Sequence, residues 1–262
     1  MLILLPPSEG KALPPRRGGA VDLAGLSFPD LASTRTRILD ELVAVCSGDP
    51  DRARQILGLP PGLVAEVIRN RTLATTPAVR VTDLYTGVLF DTLGLSTLDL
   101  AARRRAGRAL LVFSGLWGVL RLVDKVPPYR LAGQVALPGT GPLPALWRPA
   151  LAAALVPATA HGLVLDLRST VYASMWRPTG GAAGRTVTVR VLHERRAGDP
   201  GSRVVASHFN KATKGRLVRA LLASGATPGT VPRLVEVLRG LGYHVSAGCG
   251  RTPSLDVIVT EV

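Results

Sequence analysis

The chain has 262 residues, 47% of them hydrophobic, which is enough for one large core or two small ones and rules out a disordered or collagen-like polymer. Its 32 Lys+Arg against 18 Asp+Glu leave a formal charge of +14, a balance that favours anionic partners such as nucleic acid or nucleotides. The excess is almost all arginine, since lysine occurs only at 11, 125, 211 and 214, and a coding bias towards Ala, Gly, Pro and Arg is the competing explanation.

Leu2–Leu5 reads as a buried strand. The apolar stretch is too short for a signal peptide and no run is long enough to cross a bilayer, so a cytoplasmic protein without a membrane partner is expected. The loop Ser8-Glu9-Gly10-Lys11 follows at once. Lys11 is a point charge suited to phosphate, Gly10 permits a sharp turn, and Glu9 could be a general base, a metal ligand or simply an ion-pair partner of Lys11. The spacing is not that of a P-loop.

Pro14–Gly19 predicts an irregular segment. Leu31, Ile38, Leu39, Leu42, Val43 and Cys46 then recur at helical spacing, which makes Cys46 a core thiol. Short helices near 52–57 and 62–73 follow, then a loop and helix over 78–95 carrying Tyr85 and Gly87. The arginines 103, 104, 105 and 108 precede a strand at Ala109–Phe113 and are best explained as a solvated helix face.

Ser114-Gly115-Leu116-Trp117-Gly118-Val119-Leu120-Arg121 is read as a loop and helix. Its Gly115 and Gly118 allow close backbone approach, and Trp117 offers a stacking face. Two residues separate the glycines where a helix-hairpin-helix has one, and a strand precedes. Gly240-Leu241-Gly242 has the tighter spacing but leads into a strand. In Asp124–Arg130, Pro127-Pro128 stiffens the chain and Tyr129-Arg130 sets an aromatic beside a cation, suited to a base and its phosphate or to a plain rigid turn. Asp124 is a second candidate for proton transfer.

A helix over Pro144–Leu155 and a strand over Leu163–Leu167 come next, the latter leading into Asp166–Tyr172 with Ser169 and Tyr172 as further candidates. Arg185–Leu192 and Arg203–Ser207 predict a hairpin around Gly198–Gly201. On the helix Asn210–Ala223, Lys211 and Lys214 fall on the side of Leu217, Val218, Leu221 and Leu222, an inward placement that is costly for a lysine unless it lines a polar cleft. Lys211 is therefore a candidate catalytic residue, Gly215 a point of close packing or ligand approach, and Arg219 a flanking cation. A helix at Thr230–Arg239 and strands at Tyr243–Ser246 and Leu255–Val259 complete an α/β fold: a single domain, 1–262, with a mixed sheet flanked by helices. Cys249 lies beside a cation and could be a reactive thiol. The four histidines lack ligand spacing, so no metal or other cofactor is expected.

Ser8-Glu9-Gly10-Lys11, Tyr85-Thr86-Gly87, Ser114 through Arg121, Pro128-Tyr129-Arg130-Leu131 and Lys211…Gly215…Arg219 occur in this order, and together they resemble the YaaA family of peroxide stress proteins over nearly the whole chain. The resemblance implies an α/β domain of unusual topology with a positively charged cleft. It implies a role in limiting free iron and oxidative DNA damage, association with duplex or branched DNA, and a helix-hairpin-helix-like segment mapping onto Ser114–Arg121. The first loop departs from the family, where Ser-Pro-Ala-Lys is frequent. The alternative is an enzyme acting on a nucleotide or another phosphorylated small molecule in the same cleft. That reading requires Lys11, Tyr85, Ser114, Arg130 and Lys211 to converge, with Glu9 or Asp124 in reach.

Overall fold

The computed structural model describes residues 1–196, 199–204, 207–248 and 253–259, with backbone alone for residues 200 and 207–209. Cys249 and part of the expected 198–201 turn lie outside the described residues. Eight strands form one mixed sheet: β1 (Leu2–Leu5), β2 (Leu110–Ser114), β3 (Gly118–Leu120), β4 (Val164–Asp166), β5 (Thr186–Glu194), β6 (Arg203–Val204), β7 (His244–Ala247) and β8 (Ser254–Val259). Their order is β7-β8-β5-β4-β1-β2-β3, with β6 paired to β5. β8, β5, β4, β1 and β2 run parallel, while β7, β6 and β3 add antiparallel. Every residue of β1 and β2 is buried, as expected for central parallel strands covered on both faces.

The principal helices are α1 (Ala32–Ser47), α2 (Pro50–Ile56), α3 (Val64–Arg71), α4 (Val88–Leu93), α5 (Leu100–Ala109), α6 (Leu143–Ala154), α7 (Ser207–Ser224) and α8 (Val231–Gly240). Asp49, Asp99 and Thr230 cap α2, α5 and α8 by accepting a backbone N–H of the first turn. The stripe of α1 is buried, and burial raises the pKa of the Cys46 thiol, which makes it less reactive. Among the described residues, no helix is long and apolar enough to cross a membrane.

The predicted β5–β6 hairpin is present. The segment after β2 differs from expectation: a turn leads into β3, not a helix. Trp117, Val119 and Leu120 are all fully buried; Val119 and Leu120 pair with β2, and the Trp117 N–H donates to Ser114 Oγ.

Gly215 lets α7 lie directly on α4. A Cβ there would run into the Thr92 hydroxyl and the Leu89 carbonyl. Gly215→Ala is therefore expected to lower stability by about 1–3 kcal/mol, although alanine is the better helix former. Urea unfolding checks this: an unchanged or raised midpoint would show that the two helices can move apart.

Candidate functional site

From β1 the chain reaches β2 on one side, and from β4 it reaches β5 on the other. The adjacent carboxyl ends of β1 and β4 therefore form a topological switch point, where open α/β sheets leave a crevice. The loop after Leu5 and the segment after Asp166 flank it, and Ser114 ends β2 beside it.

The first loop is tied to the Tyr85 segment. Lys11 bridges Tyr85, Ala12 N–H donates to the Leu84 carbonyl at 2.8 Å, and Thr86 N–H donates to the Gly10 carbonyl at 3.2 Å. Gly87 adopts φ +97°, and a Cβ there would stand 2.9 Å from the Ser8 hydroxyl, so the close approach needs glycine. Lys11 is thereby turned inward. Its Nζ donates to the Ser8 carbonyl at 2.9 Å and the Glu9 carbonyl at 3.3 Å, and it lies 4.3 Å from the Tyr129 ring centroid and 5.5 Å from that of Tyr85.

Behind the amine runs a chain of buried hydroxyls. Tyr85 Oη is 3.0 Å from Tyr129 Oη, which is 2.6 Å from Ser114 Oγ; that oxygen accepts the Trp117 N–H at 2.9 Å. Tyr172, on the segment after β4, accepts the Gly133 N–H at 3.2 Å. Burial raises the pKa of Tyr85, Tyr129 and Tyr172, so these phenols stay protonated and serve as hydrogen-bond donors, not bases.

At the mouth, Arg130 Nε lies 3.2 Å from the half-exposed Glu9 carboxylate and Nη1 donates to the Glu9 carbonyl at 3.4 Å. Arg130 is held in turn by the fully buried Asn70, which accepts its backbone N–H at 3.0 Å and donates to its carbonyl at 2.8 Å. Glu9, Lys11, Tyr85, Ser114, Tyr129 and Arg130 thus come together, with Ser8 on the rim.

Burial is the largest influence on Lys11 and lowers its pKa to about 8, with Glu9 opposing and Arg130 reinforcing the shift. Below pH 8 both folded and unfolded chains hold the proton, and the folded state bears the whole cost of the buried ammonium. Between about 8 and the ordinary 10.5 only the unfolded chain holds it, so stability rises with pH. The rise totals no more than roughly 3 kcal/mol, less the share relieved where the side chain meets water. Urea unfolding of wild type and Lys11→Met is expected to show this rise in the wild type alone; parallel curves would contradict the lowered pKa.

The remaining sequence candidates have other places. Lys211, expected to point inward, is exposed. Lys214 is the inward one: it donates to the Leu167 carbonyl at 3.1 Å, and burial lowers its pKa while Asp166 opposes. Arg219 closes the carboxyl end of α4, with Nη1 on the carbonyls of Leu93 and Gly94. Asp124 accepts from Ser27 N–H and Oγ through one oxygen and from Arg121 N–H through the other, all at 2.8 Å. It lines a cavity of about 490 Å³ with Arg17, Asp22 and Lys125 that shares no residue with the Lys11 cluster. The Arg121 guanidinium lies 5.4 Å from the Phe28 ring.

Trp117 and Tyr129 were expected to offer stacking faces, but both are buried. Their rings meet edge to face at 6.1 Å, each serving as packing for the other. The expected helix-hairpin-helix over Ser114–Arg121 is a β-hairpin. Gly118 gives way to the Trp147 ring, and the Gly115 carbonyl accepts the Trp147 indole N–H at 2.8 Å.

Asn70 and Arg35 belong to no motif in the sequence. Each occupies an inward helical position among apolar residues, Asn70 three after Val67 and Arg35 three before Ile38, and that polar intrusion was the available signal. Among the described residues no group of three or more His, Cys, Asp or Glu side chains gathers to hold a metal.

A family model described as "Peroxide stress protein YaaA" matches residues 1–248. A UPF0246 protein of Streptomyces coelicolor is 53% identical, covering all of both chains. UPF0246 proteins of Corynebacterium efficiens and Corynebacterium glutamicum are 39% and 35% identical, each covering 99% of this chain and all of the relative. The motifs that build the Lys11 cluster and the match along most of the chain lead to one assignment: this protein belongs to the YaaA family of peroxide stress proteins.

Proposed function

We propose that the protein serves the peroxide stress response by binding duplex or branched DNA at the mouth formed by Lys11 and Arg130, and so helps to limit oxidative DNA damage and free iron. The observation that carries this reading is the convergence of an amine and a guanidinium at the switch point of the sheet, on a chain of formal charge +14. With Trp117 and Tyr129 buried, contact falls to charge and hydrogen bonding to phosphate.

Fluorescence anisotropy tests this. Affinity for duplex and branched DNA is expected to fall at least about tenfold between 50 and 200 mM salt, as release of counterions from several phosphates requires. Arg130→Ala should weaken binding about three- to tenfold at fixed salt. Affinity insensitive to salt would remove the DNA reading.

A second reading, an enzyme for a nucleotide or other phosphorylated small molecule, is favoured by one specific feature. An amine with its pKa near 8 beside a chain of protonated hydroxyls is suited to catalysis as well as to binding. Competition separates the two: free nucleotides displace DNA at micromolar concentration only if the mouth is a small-molecule site.

A further inference from the structure

The environment of Lys11 is unusual for a cation. The side chain is half-buried, yet among the described residues it forms no ion pair, because the Glu9 carboxylate is turned to Arg130. Inward-facing lysines are ordinarily paired or reach out to water. A neutral amine has two N–H bonds and one lone pair, and two acceptors are supplied here, the carbonyls of Ser8 and Glu9. The third direction has ring faces about it, those of Tyr129 and Tyr85, and no oxygen acceptor among the described residues. Two carbonyls cannot satisfy all three hydrogens of an ammonium, so one position on the nitrogen is left without an oxygen partner.

We propose that Lys11 is a nucleophile that forms an imine with a phosphate-bearing aldehyde, with Arg130 receiving the phosphate. The proposal rests on the reading that this mouth takes a phosphate-bearing ligand. Two sources share the chemistry: a ring-opened abasic sugar within DNA and a free aldehyde phosphate.

The Lys11 nitrogen attacks the carbonyl carbon, and the carbonyl electron pair moves to oxygen, which is protonated as the nitrogen loses a proton. The carbinolamine then expels that oxygen as water, taking the second amine hydrogen, and leaves a C=N bond. One amine and one aldehyde give one imine and one water, with no change of oxidation state. Arg130 Nη1 donates to the Glu9 carbonyl, while Nε, 3.2 Å from the Glu9 carboxylate, and Nη2 make no hydrogen bond among the described residues, and Nη2 is available to a phosphate oxygen.

The charge environment supports the assignment. Burial is the largest cause lowering the Lys11 pKa; Glu9 and, from α3, Glu66 oppose it, while Arg130 and Arg69 reinforce it. Tyr85 and Tyr129 stay neutral and do not titrate against it. At neutral pH this amine has a neutral fraction roughly three hundredfold larger than an ordinary lysine.

Reductive trapping tests the proposal, and the presence of only four lysines makes the result easy to assign. The full chain is incubated with sodium cyanoborohydride and either a duplex carrying one abasic site or glyceraldehyde 3-phosphate. The intact duplex and glyceraldehyde serve as controls, and adducts are located by peptide mass mapping. The expected adduct lies on Lys11, its initial rate is half-maximal near pH 8, and it falls more than about twentyfold in Lys11→Arg but not in Lys211→Arg. The aldehyde that labels Lys11 faster identifies the source.

Labelling spread evenly over Lys11, Lys125, Lys211 and Lys214, or surviving in Lys11→Arg, overturns the proposal; the wild-type map alone decides the first point if the variant does not fold. Anisotropy with the intact duplex on the same sample separates the two readings. A duplex that binds without any Lys11 adduct from either aldehyde sinks the imine and leaves DNA binding standing. A Lys11 adduct with the small aldehyde and no duplex binding sinks DNA binding and keeps the imine.

Discussion

Lys11→Ala is expected to weaken DNA binding at least about thirtyfold, whereas Lys211→Ala changes it less than about threefold. Lys11 lies at the switch point, with its amine oriented by the Ser8 and Glu9 carbonyls and little freedom left to lose when a ligand arrives. A charge-assisted hydrogen bond made there is worth about 2 kcal/mol, which corresponds to roughly thirtyfold in affinity. Lys211 is exposed, and an exposed charge is screened by salt and contributes at most about 1 kcal/mol. The loss in Lys11→Ala cannot be ascribed to unfolding, because the substitution also removes a half-buried ammonium whose burial is unfavourable below pH 8. Its melting temperature should equal or exceed that of the wild type. Equal affinities for the two variants would mean that surface charge, not the site, holds the ligand.

The largest effect on stability is expected at Arg35. This residue is fully buried on α1, with Nε donating to the Trp117 carbonyl at 3.1 Å, Nη1 to Phe28 at 3.2 Å, and Nη2 to Ser27 at 2.8 Å and Val119 at 3.0 Å. It joins the Ser27–Phe28 loop to the β2–β3 turn. It also holds the carbonyl of Phe28, which sits in the left-handed region at φ 61°, a conformation that costs an ordinary residue roughly 1–2 kcal/mol. Burial lowers the Arg35 pKa and Asp124 opposes the shift.

Arg35→Met leaves four carbonyls without their donor and Asp124 without a compensating charge, for an expected loss of about 3–5 kcal/mol. In a chain of this size that lowers the melting temperature by roughly 10 °C. Arg35→Lys should recover little, since one ammonium cannot reproduce the planar fork that spans four acceptors. Calorimetry decides it, and a shift under about 3 °C would show that water satisfies those carbonyls. The turn so braced carries Ser114, which links this interior arginine to the hydroxyl chain behind Lys11.

How much of this was legible in the sequence depended on whether the signal was local. The unbroken apolar runs of β1 and β2 and the periodicity of α1 are properties of neighbouring residues, and they predicted the elements that formed. The Ser8–Lys11 loop, Tyr85, Ser114 and Arg130 were found because each stands at a strand end or beside a glycine or proline turn. The failures were long-range. Nothing near Trp117 reveals that β2 will take β3 as an antiparallel partner and bury the indole. The helical angle of Lys211 is the inward one, yet the residue is exposed, since the angle does not say what packs over the first turn of the helix. Gly115 and Gly118 resemble ligand-facing glycines and instead make room for Leu131 and Trp147, which lie at other points of the chain. Asn70 orients Arg130 from sixty residues away, a pairing that no spacing rule detects.

The central claim is that the anionic partner binds at Lys11. Selective isotope labelling of lysine gives four side-chain signals that can be followed by NMR while duplex DNA or a nucleotide is added. The Lys11 signal is expected to shift first and furthest and to saturate with the binding isotherm, and in the free protein to titrate near pH 8. A Lys11 signal unmoved at saturation, with Lys125 or Lys211 shifting in its place, would contradict binding at Lys11.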